Sequence, residues 1–233
     1  MSNLIIIPTY NESANIKELI ALLSSNLPDM SVLVVDDNSP DGTGIVADEI
    51  RRSAPGAVHV LHREGPRGLG RALTAGFEWA TSKGFENIVT MDADLSHSPE
   101  DLPMLVKPFK EVDVVLGSRY LNKRRIANWP VHRLALSTSA GIFSRALLRI
   151  EFTDPTTGFR AFTNSALKKI LSRPPKSTGF FLHVEVLTIA KSLSLKIKEV
   201  PITFAQRLRG QTKMSAKEIV KGFWGVVRLC LSK

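Results

Sequence analysis

The sequence predicts an α/β domain built on a largely parallel β-sheet. Short apolar, β-branched runs alternate with amphipathic helical segments along the chain, and this alternation is typical of right-handed βαβ units. Polar, carboxylate-rich loops follow the second and fourth runs, at the strand ends where open α/β sheets bind their ligands. Because 233 residues are enough for one large domain with a sizeable core, we expect one domain rather than two small ones.

The first half of the chain is predicted to supply four strands. They lie at residues 4–7, 32–35, 58–61 and 88–91, and amphipathic helices follow the first three. A dinucleotide-binding Rossmann domain is disfavoured, because its glycine-rich turn should follow the first strand. Pro8-Thr9-Tyr10-Asn11-Glu12 stands there instead.

The loop after the third strand, residues 62–71, contains glycines and three arginines. Two interpretations stay open for it. The loop presents backbone N–H groups and guanidinium groups to a phosphate, or it is a helix start with solvated arginines. A Walker A loop is excluded, because Arg71-Ala72 stands where Lys-Ser/Thr is required.

The second half continues the same alternation. We expect a helix from Ser98 to about Lys110, because Ser98 suits an N-cap and Pro99 a first helical position. The other predicted elements are a strand at 112–116, an apolar helical stretch within 134–150, a short strand after 154–160, helices at 165–171 and after 185, a strand at 197–204 and an amphipathic helix at 216–230.

Two carboxylates one residue apart, Asp92 and Asp94, end the fourth predicted strand. Such a pair can bind one divalent ion of the Mg²⁺ or Mn²⁺ type, because hard cations take oxygen ligands and bridge to substrate phosphates. Acidic residues after strands are also common as helix caps and turn residues. The pair by itself therefore leaves both interpretations open.

Cationic and titratable residues lie near the other predicted strand ends. Arg119 follows the fifth strand, at an edge already rich in carboxylates, and is interpreted as a phosphate clamp because guanidinium binds phosphate in bidentate fashion. Residues 207–215 form a basic loop. His183 is interpreted as a hydrogen-bonded residue at a helix start rather than a catalytic one, and for Glu185 both interpretations stay open.

Composition limits the partners and the compartment. The chain has 31 Lys and Arg against 22 Asp and Glu, a formal charge of +9 that suits anionic partners. A nucleic-acid binder is disfavoured, because the cations lie beside carboxylates without an aromatic-interleaved stripe. The single cysteine, Cys230, excludes an intramolecular disulfide and is expected to be a packed thiol in a reducing compartment. We expect neither a signal peptide nor a membrane span, hence a soluble or peripheral protein.

The motifs together resemble those of the dolichyl-phosphate (polyprenyl-phosphate) mannosyltransferases, inverting glycosyltransferases of the GT-A fold. The resemblance covers almost the whole chain in order. It implies a Rossmann-like three-layer sandwich with a mostly parallel central sheet and helices on both faces. The motifs are Pro8-Thr-Tyr10-Asn-Glu12, Asp36-Asp37-x-Ser39-Pro-Asp-Gly-Thr43, Gly68-Leu-Gly70, Met91-Asp92-Ala-Asp94-Leu-Ser-His97, Gly117-Ser-Arg119-Tyr120, Asn128-Trp-Pro130, Glu199-Val-Pro-Ile202 and Arg207-x-x-Gly210-x-Thr-Lys213.

The resemblance also implies roles for individual residues. The donor nucleotide sugar would be bound by Pro8, Tyr10, Glu12, Val35, Asp37, Asp92, Ala93, Asp94, Arg207 and Lys213. Mg²⁺ or Mn²⁺ would be bound by Asp92 and Asp94 with Ser96. The acceptor phosphate would be bound by Arg119, Arg133, Arg207 and Lys213, and the catalytic set would be Asp92, Asp94, Arg119 and Arg133.

The implied reaction is transfer of mannose from GDP-mannose to a dolichyl or polyprenyl phosphate with inversion. A phosphomonoester is largely a dianion at neutral pH, so it can attack the anomeric carbon without a protein base. This agrees with a sequence that offers cations but no Ser-His-Asp or Cys-His set. Two alternatives stay open: the same fold using UDP-glucose, and a catalytically inactive subunit that binds lipid or a partner.

The same resemblance implies a peripheral protein at the cytoplasmic face of a membrane. Residues 1–214 are expected to form the catalytic domain, and residues 215–233 an amphipathic C-terminal helix. Either this helix touches the bilayer or a small membrane-protein subunit recruits the enzyme. No nucleic-acid partner is expected.

Overall fold

A seven-stranded sheet forms the centre of the molecule. The computed structural model describes residues 2–121, 131–205 and 216–231, and the side chains of 131–137, 140, 216–219 and 221 lie outside that description. Over these residues the strand order is β3-β2-β1-β4-β6-β5-β7. The strands are β1 Asn3–Thr9, β2 Met30–Asp36, β3 Val58–His62, β4 Asn87–Thr90, β5 Val114–Ser118, β6 Arg160–Thr163 and β7 Ile197–Pro201.

Helices cover both faces of the sheet. The described part of the chain contains α1 Ser13–Asn26, α2 Thr43–Ser53, α3 Leu69–Ser82, α4 Leu102–Val106, α5 Val131–Leu148, α6 Asn164–Leu171, α7 Leu182–Ser192 and α8 Ala216–Leu231. Side chains alternate between the faces of a strand. Leu4 and Ile6 of β1 accordingly pack with α3, α5, α6, α7 and α8, whereas Ile5 and Ile7 pack with α1, α2 and α4. The predicted three layers are confirmed.

The sheet is mostly parallel, as predicted, with β6 as the exception. β6 pairs antiparallel with both β4 and β5. The other pairs, including β1 with β2 and with β4, are parallel. The direction of β6 depends on the path of the chain between α5 and β6. The apolar pattern of a four-residue strand does not encode this path.

The single helix predicted from Ser98 to Lys110 is wrong. The segment forms a 3-10 turn at Pro99–Asp101, the short helix α4, and a second 3-10 turn at Lys107–Lys110. Pro103 and Pro108 interrupt it, because proline lacks the N–H needed for a helical hydrogen bond. Proline also shortens the last strand: β7 ends at Pro201, and only an isolated antiparallel bridge at Phe204 continues the pairing that was predicted to residue 204.

The final helix α8 packs on the core along one side. Val226 is buried, and the thiol of Cys230 lies 3.4 Å from the carbonyl oxygen of Leu147 in α5. Phe223 stacks on Phe143 of α5 with ring centroids 4.8 Å apart. The opposite side of α8 is exposed. The predicted domain boundary at residue 214 falls outside the described residues and stays a prediction.

Candidate active site

The carboxyl ends of β2, β1 and β4 meet at one edge of the sheet. Thr9 of β1 lies opposite Asp36 of β2, and the N–H of Asp37 donates to the carbonyl of Thr9 at 3.0 Å. On the other side of β1, the N–H of Met91 donates to the carbonyl of Ile6 at 3.0 Å. The polar loops after these three strands are thereby brought together, as the parallel topology requires.

The loops after β1 and β2 are cross-linked by short polar side chains. The Asp36 carboxylate accepts hydrogen bonds from the hydroxyl groups of Thr9 at 3.1 Å and Ser39 at 2.6 Å. The hydroxyl of Thr43 donates to Asp41 at 2.5 Å and accepts from the N–H of Glu12 at 2.9 Å. These bonds fix the two loops relative to each other and explain why the Asp36 to Thr43 motif is rich in Asp, Ser and Thr.

Asp37, predicted to contact the nucleotide, lies at the end of β2, on one side of this edge. Its side chain is 7% exposed and pairs with the Arg63 guanidinium through one oxygen. The other oxygen accepts the N–H of Gly68 at 2.6 Å. The carboxylate is therefore held in one orientation by the loop that leads into α3.

The glycines of that loop serve backbone packing. A Cβ at Gly68 would lie 2.3 Å from the carbonyl oxygen of Thr178, and one at Gly70 would lie 2.2 Å from that of Ser177. The N–H of Gly70 donates to the Thr178 carbonyl at 2.9 Å. Because the Gly68 and Gly70 N–H groups bind protein oxygens, these two amides are not presented to a phosphate, and phosphate binding by the rest of the loop stays a prediction.

The remaining residues predicted for the nucleotide pocket differ in position. Pro8 and Tyr10 are half-buried at the edge, and the Arg67 guanidinium lies 4.5 Å from the centre of the Tyr10 ring. Glu12 is buried and accepts the side-chain N–H of Asn15 at 2.8 Å. Val35 is wholly buried in the core, and its predicted place in the nucleotide pocket stays a prediction. Its apolar side chain packs between the sheet and α3.

The Asp92 and Asp94 carboxylates have different environments. The Asp92 side chain is 38% exposed. Asp94 is buried and accepts the N–H of Ser96 at 3.1 Å and the Ser96 hydroxyl at 2.5 Å. Ala93 between them is also buried. A Cβ at Gly158 would lie 3.2 Å from Asp92 Oδ1, so glycine allows the β6 turn to approach this carboxylate closely.

His97 supports the loop from the inside. Its Nδ1 accepts the N–H of Asp92 at 3.2 Å, so Nε2 carries the proton of the neutral ring. The ring stacks on Phe159 and meets Phe204 edge-on. Burial is the main cause that lowers the pKa of His97 to about 4, against the opposing effect of Asp94. His97 is therefore a neutral hydrogen-bond acceptor that orients the Asp92 backbone.

Arg119, the predicted phosphate clamp, binds a protein carboxylate. Its Nε and Nη2 donate to the two oxygens of Asp154 at 2.6 and 2.7 Å, and Nη2 also donates to the Thr156 hydroxyl at 2.8 Å. Burial alone would lower the pKa of Arg119 and raise that of Asp154, but their mutual attraction outweighs it in both cases. Phosphate binding by Arg119 stays a prediction, and its charge is already matched by Asp154.

Sequence reasoning missed the polar residues that build this side of the site. Asp154 was assigned no role from the sequence. Glu199 accepts the N–H groups of Thr153 and Asp154, both at 2.9 Å. Arg160 is fully buried and donates to three carbonyl oxygens, those of Pro155, Thr157 and His183. The sequence signal for such residues is a charged residue beside or within a short apolar strand. A charge in that position is unusual unless it has a buried partner.

His183 and Glu185 lie in the first turn of α7. His183 is buried, and burial followed by the nearby charge of Arg160 holds its pKa well below the ordinary value. Its carbonyl accepts Arg160. Both oxygens of Glu185 accept backbone N–H groups, those of Lys176 at 2.9 Å and Ser177 at 2.8 Å. The bond to Arg160 is made by the backbone of His183, so the interpretation of its side chain stays a prediction, whereas Glu185 has a structural contact.

The side chains of three predicted phosphate-binding residues lie outside the description of the structure. Arg207 and Lys213 lie outside the described residues, and of Arg133 only the backbone, in α5, is described. Their predicted roles stay predictions.

The donor set at Asp92 and Asp94 fits a hard divalent cation that also binds substrate. Two carboxylates and a hydroxyl supply oxygen ligands only, the type that Mg²⁺ and Mn²⁺ prefer. Within the described ranges no three His, Cys, Asp or Glu side chains form a metal-binding group. Two protein carboxylates leave coordination positions for phosphate oxygens, which is typical of Mg²⁺ sites that bind phosphorylated substrates.

Comparison with known proteins identifies the family of this chain. The family model described as Glycosyl transferase family 2 matches residues 4–171. The polyprenol monophosphomannose synthase of Mycolicibacterium smegmatis is 40% identical over 229 residues, which cover 96% of this chain and 86% of the relative. The undecaprenyl-phosphate mannosyltransferase of Micrococcus luteus is 40% identical over 228 residues, which cover 98% of this chain and 93% of that protein.

A solved structure with the same fold supports the architecture. Glucosyl-3-phosphoglycerate synthase from Mycobacterium tuberculosis, crystallised with Mn²⁺, uridine diphosphate and phosphoglyceric acid, superimposes with a TM-score of 0.69. The match covers 99% of this chain and 78% of that one, at 20% sequence identity. With the family match, this similarity confirms the predicted GT-A fold.

Proposed function

Because this chain belongs to the polyprenyl-phosphate mannosyltransferases of glycosyl transferase family 2, we propose that it transfers mannose from GDP-mannose to a polyprenyl phosphate with inversion. The observation that carries this proposal is the position of Asp92. Its half-exposed carboxylate lies at the carboxyl edge of the sheet, next to the β1 and β2 loops. On its other side lies the charge of Arg119, which the Asp92 carboxylate influences.

The donor nucleotide is proposed to occupy the side of the edge formed by the β1 and β2 loops. Asp37 and Tyr10 offer a fixed carboxylate and an aromatic ring there, and Arg63 and Arg67 hold them in place. Pro8 and Glu12 complete the loop that carries Tyr10. The proposed role of Asp37 is to accept hydrogen bonds from the base or ribose, because an ionised carboxylate is an acceptor only.

The diphosphate is proposed to lie at Asp92 and Asp94. A Mg²⁺ or Mn²⁺ ion bound there supplies charge neutralisation for the departing nucleoside diphosphate. The hydroxyl of Ser96 holds the Asp94 carboxylate in position, and His97 holds the backbone of Asp92. The chain thus orients the Asp94 carboxylate and the backbone of Asp92 before the donor binds, which is the basis of electrostatic preorganisation.

The acceptor phosphate requires cations rather than a base. As a dianion near neutral pH it is already a nucleophile, and the protein must hold it in line with the anomeric carbon against the charge of the donor. We assign this role to Arg133, Arg207 and Lys213, with Arg119 contributing from its ion pair with Asp154. Arg119 then contributes mainly to the electrostatic potential at this edge of the sheet.

The acceptor is a lipid, so the enzyme is proposed to work at the cytoplasmic face of a membrane. None of the helices in the part of the chain that is described combines the length and apolar character of a bilayer span. α8 instead exposes Val220 at 55% and Trp224 at 63%, and Phe223, which is 48% exposed and stacks on Phe143, borders this face. Such a face suits the interface of a bilayer, and a small membrane-protein partner is the alternative occupant.

A transfer assay tests the reaction. The purified chain is incubated with polyprenyl phosphate, Mg²⁺ or Mn²⁺, and either GDP-mannose or UDP-glucose, and the lipid product is analysed for sugar and anomeric configuration. We expect β-linked mannosyl phospholipid from GDP-mannose, since inversion of an α-linked donor gives the β-product. Exclusive use of UDP-glucose would contradict the proposed donor, and absence of any transfer would contradict the activity.

A further inference from the structure

The segment between α6 and α7, residues 174–181, lacks regular secondary structure, yet a buried carboxylate holds it. Glu185 of α7 is 7% exposed, and its two oxygens accept the N–H groups of Lys176 and Ser177 at 2.9 and 2.8 Å. A carboxylate that accepts two adjacent backbone N–H groups fixes the direction of the peptide between them. Glu185 therefore sets the orientation of this segment.

The carbonyl groups that follow these two amides pack against the start of α3. Thr178 accepts the N–H of Gly70 at 2.9 Å, and Gly68 and Gly70 leave room for the Ser177 and Thr178 carbonyls where any Cβ would collide. The contact is between two backbones and has no flexible side chain that could absorb a shift. A movement of residues 177–178 would thus move the first turn of α3.

The start of α3 in turn orients Asp37. The N–H of Gly68 donates to Asp37 Oδ2 at 2.6 Å, in the residue directly before the helix. Contacts of known geometry therefore connect Glu185 to Asp37 through Ser177, Thr178 and Gly68. Each link is a hydrogen bond or a direct backbone contact.

We propose that Glu185 is a positioning residue for the donor nucleotide, acting through residues 177–178 and the start of α3 on Asp37. The inference rests on the proposed function, in which Asp37 contacts the base or ribose. Glu185 itself does not touch the substrate. Its role is to keep the donor side of the site in the geometry that binds the nucleoside diphosphate.

The Glu185→Gln variant tests this role. Glutamine offers one acceptor oxygen and turns an NH₂ group towards a backbone N–H, so one buried donor loses its partner. We expect the Kd for GDP, measured by calorimetry with Mg²⁺, and the KM for GDP-mannose to rise on the order of tenfold. The kcat should change less than about twofold, because Asp92 and Asp94 lie on a different loop.

Asp113→Asn is the control. Asp113 also accepts a backbone N–H group, that of Lys196 at 2.8 Å, but it lies directly before β5, at the edge of the sheet opposite the site. The variant should lower stability and leave the Kd for GDP unchanged. If both variants weaken GDP binding equally, the effect of Glu185 is a general loss of stability and the proposal is wrong.

A second variant covers the case in which Glu185→Gln does not fold. Gly70→Ala strains the same connection from the α3 side, because its Cβ would meet the Ser177 carbonyl at 2.2 Å. We expect the same selective rise in the Kd for GDP. A folded Gly70→Ala or Glu185→Gln variant with wild-type GDP affinity overturns the inference. Failure of the wild-type chain to bind GDP or transfer mannose would instead overturn the proposed function.

Discussion

Arg119 and Asp154 form a two-point ion pair in the protein interior, with two guanidinium nitrogens donating to the two carboxylate oxygens at 2.6 and 2.7 Å. The N–H of Arg119 also donates to Asp154 at 3.1 Å. The residue after β5 and the turn before β6 are thereby joined at the edge of the site. This pair determines the electrostatic environment on the side of the edge opposite the β2 loop.

Removing one partner of this pair should be strongly destabilising. In an Asp154→Asn variant the Arg119 charge stays buried without a matching carboxylate, so we expect the free energy of unfolding to fall by about 3–5 kcal/mol. Urea denaturation measures the change. Asp48→Asn is the control, because Asp48 pairs with Arg51 and His62 at the surface and the loss of these exposed pairs should cost under about 1 kcal/mol. Equal losses of unfolding free energy in the two variants would show that the buried pair stabilises the fold no more than a surface pair does.

Asp92 should matter for transfer and little for folding. Its side chain is 38% exposed, so Asp92→Asn should leave the unfolding midpoint almost unchanged. We expect the rate of mannosyl transfer to fall by more than about a hundredfold, because the metal supplies several kcal/mol of charge stabilisation. Glu100→Gln, an exposed acid on the neighbouring 3-10 turn, serves as the control and should transfer normally. Full activity of Asp92→Asn with metal present would rule out the proposed metal site.

Buried histidine should make the folded chain sensitive to mild acid. The pKa of His183 lies well below the ordinary 6.5 in the folded state, chiefly because of burial. Below pH 6.5 the unfolded chain therefore binds more protons than the folded chain, and stability is lost as the pH falls. In His183→Gln the slope of unfolding free energy between pH 6.5 and 5 should decrease by about 1.4 kcal/mol per pH unit. An unchanged slope in urea titrations across this range would contradict the buried, neutral state of His183.

The exposed face of α8 should bind lipid. A Val220→Gln/Trp224→Gln variant replaces two apolar side chains that are more than half exposed, and we expect the fraction floating with anionic liposomes to fall about tenfold. Ile45→Gln is the matched control, since Ile45 is 67% exposed on α2, across the sheet from α8. If the two variants float equally well, α8 is not the membrane-contacting face. Folding can be compared by thermal denaturation, because none of these side chains is buried.

Much of this protein could be predicted from local patterns in the sequence. Apolar runs of four or five residues predicted the strands, because a buried strand must be apolar on both faces. The Asp92 and Asp94 pair could be placed at a sheet edge, since residues directly after a parallel strand must lie at its carboxyl end. The error at residues 98–110 also has a local cause. This segment was predicted as one helix, but the prolines at 103 and 108 interrupt it.

Only the tertiary structure determined which residue each of these groups contacts within the protein. The sequence identified Arg119 as a cation near an anionic edge, but its binding to Asp154 depends on the packing of a turn 35 residues away. Gly68 and Gly70 suggested a phosphate loop, whereas the folded chain uses them to admit the Ser177 and Thr178 carbonyls. Residue type fixes which contacts a side chain is able to make. The partner that the side chain contacts, and whether that contact is buried, depend on segments distant in the chain that only the fold brings together.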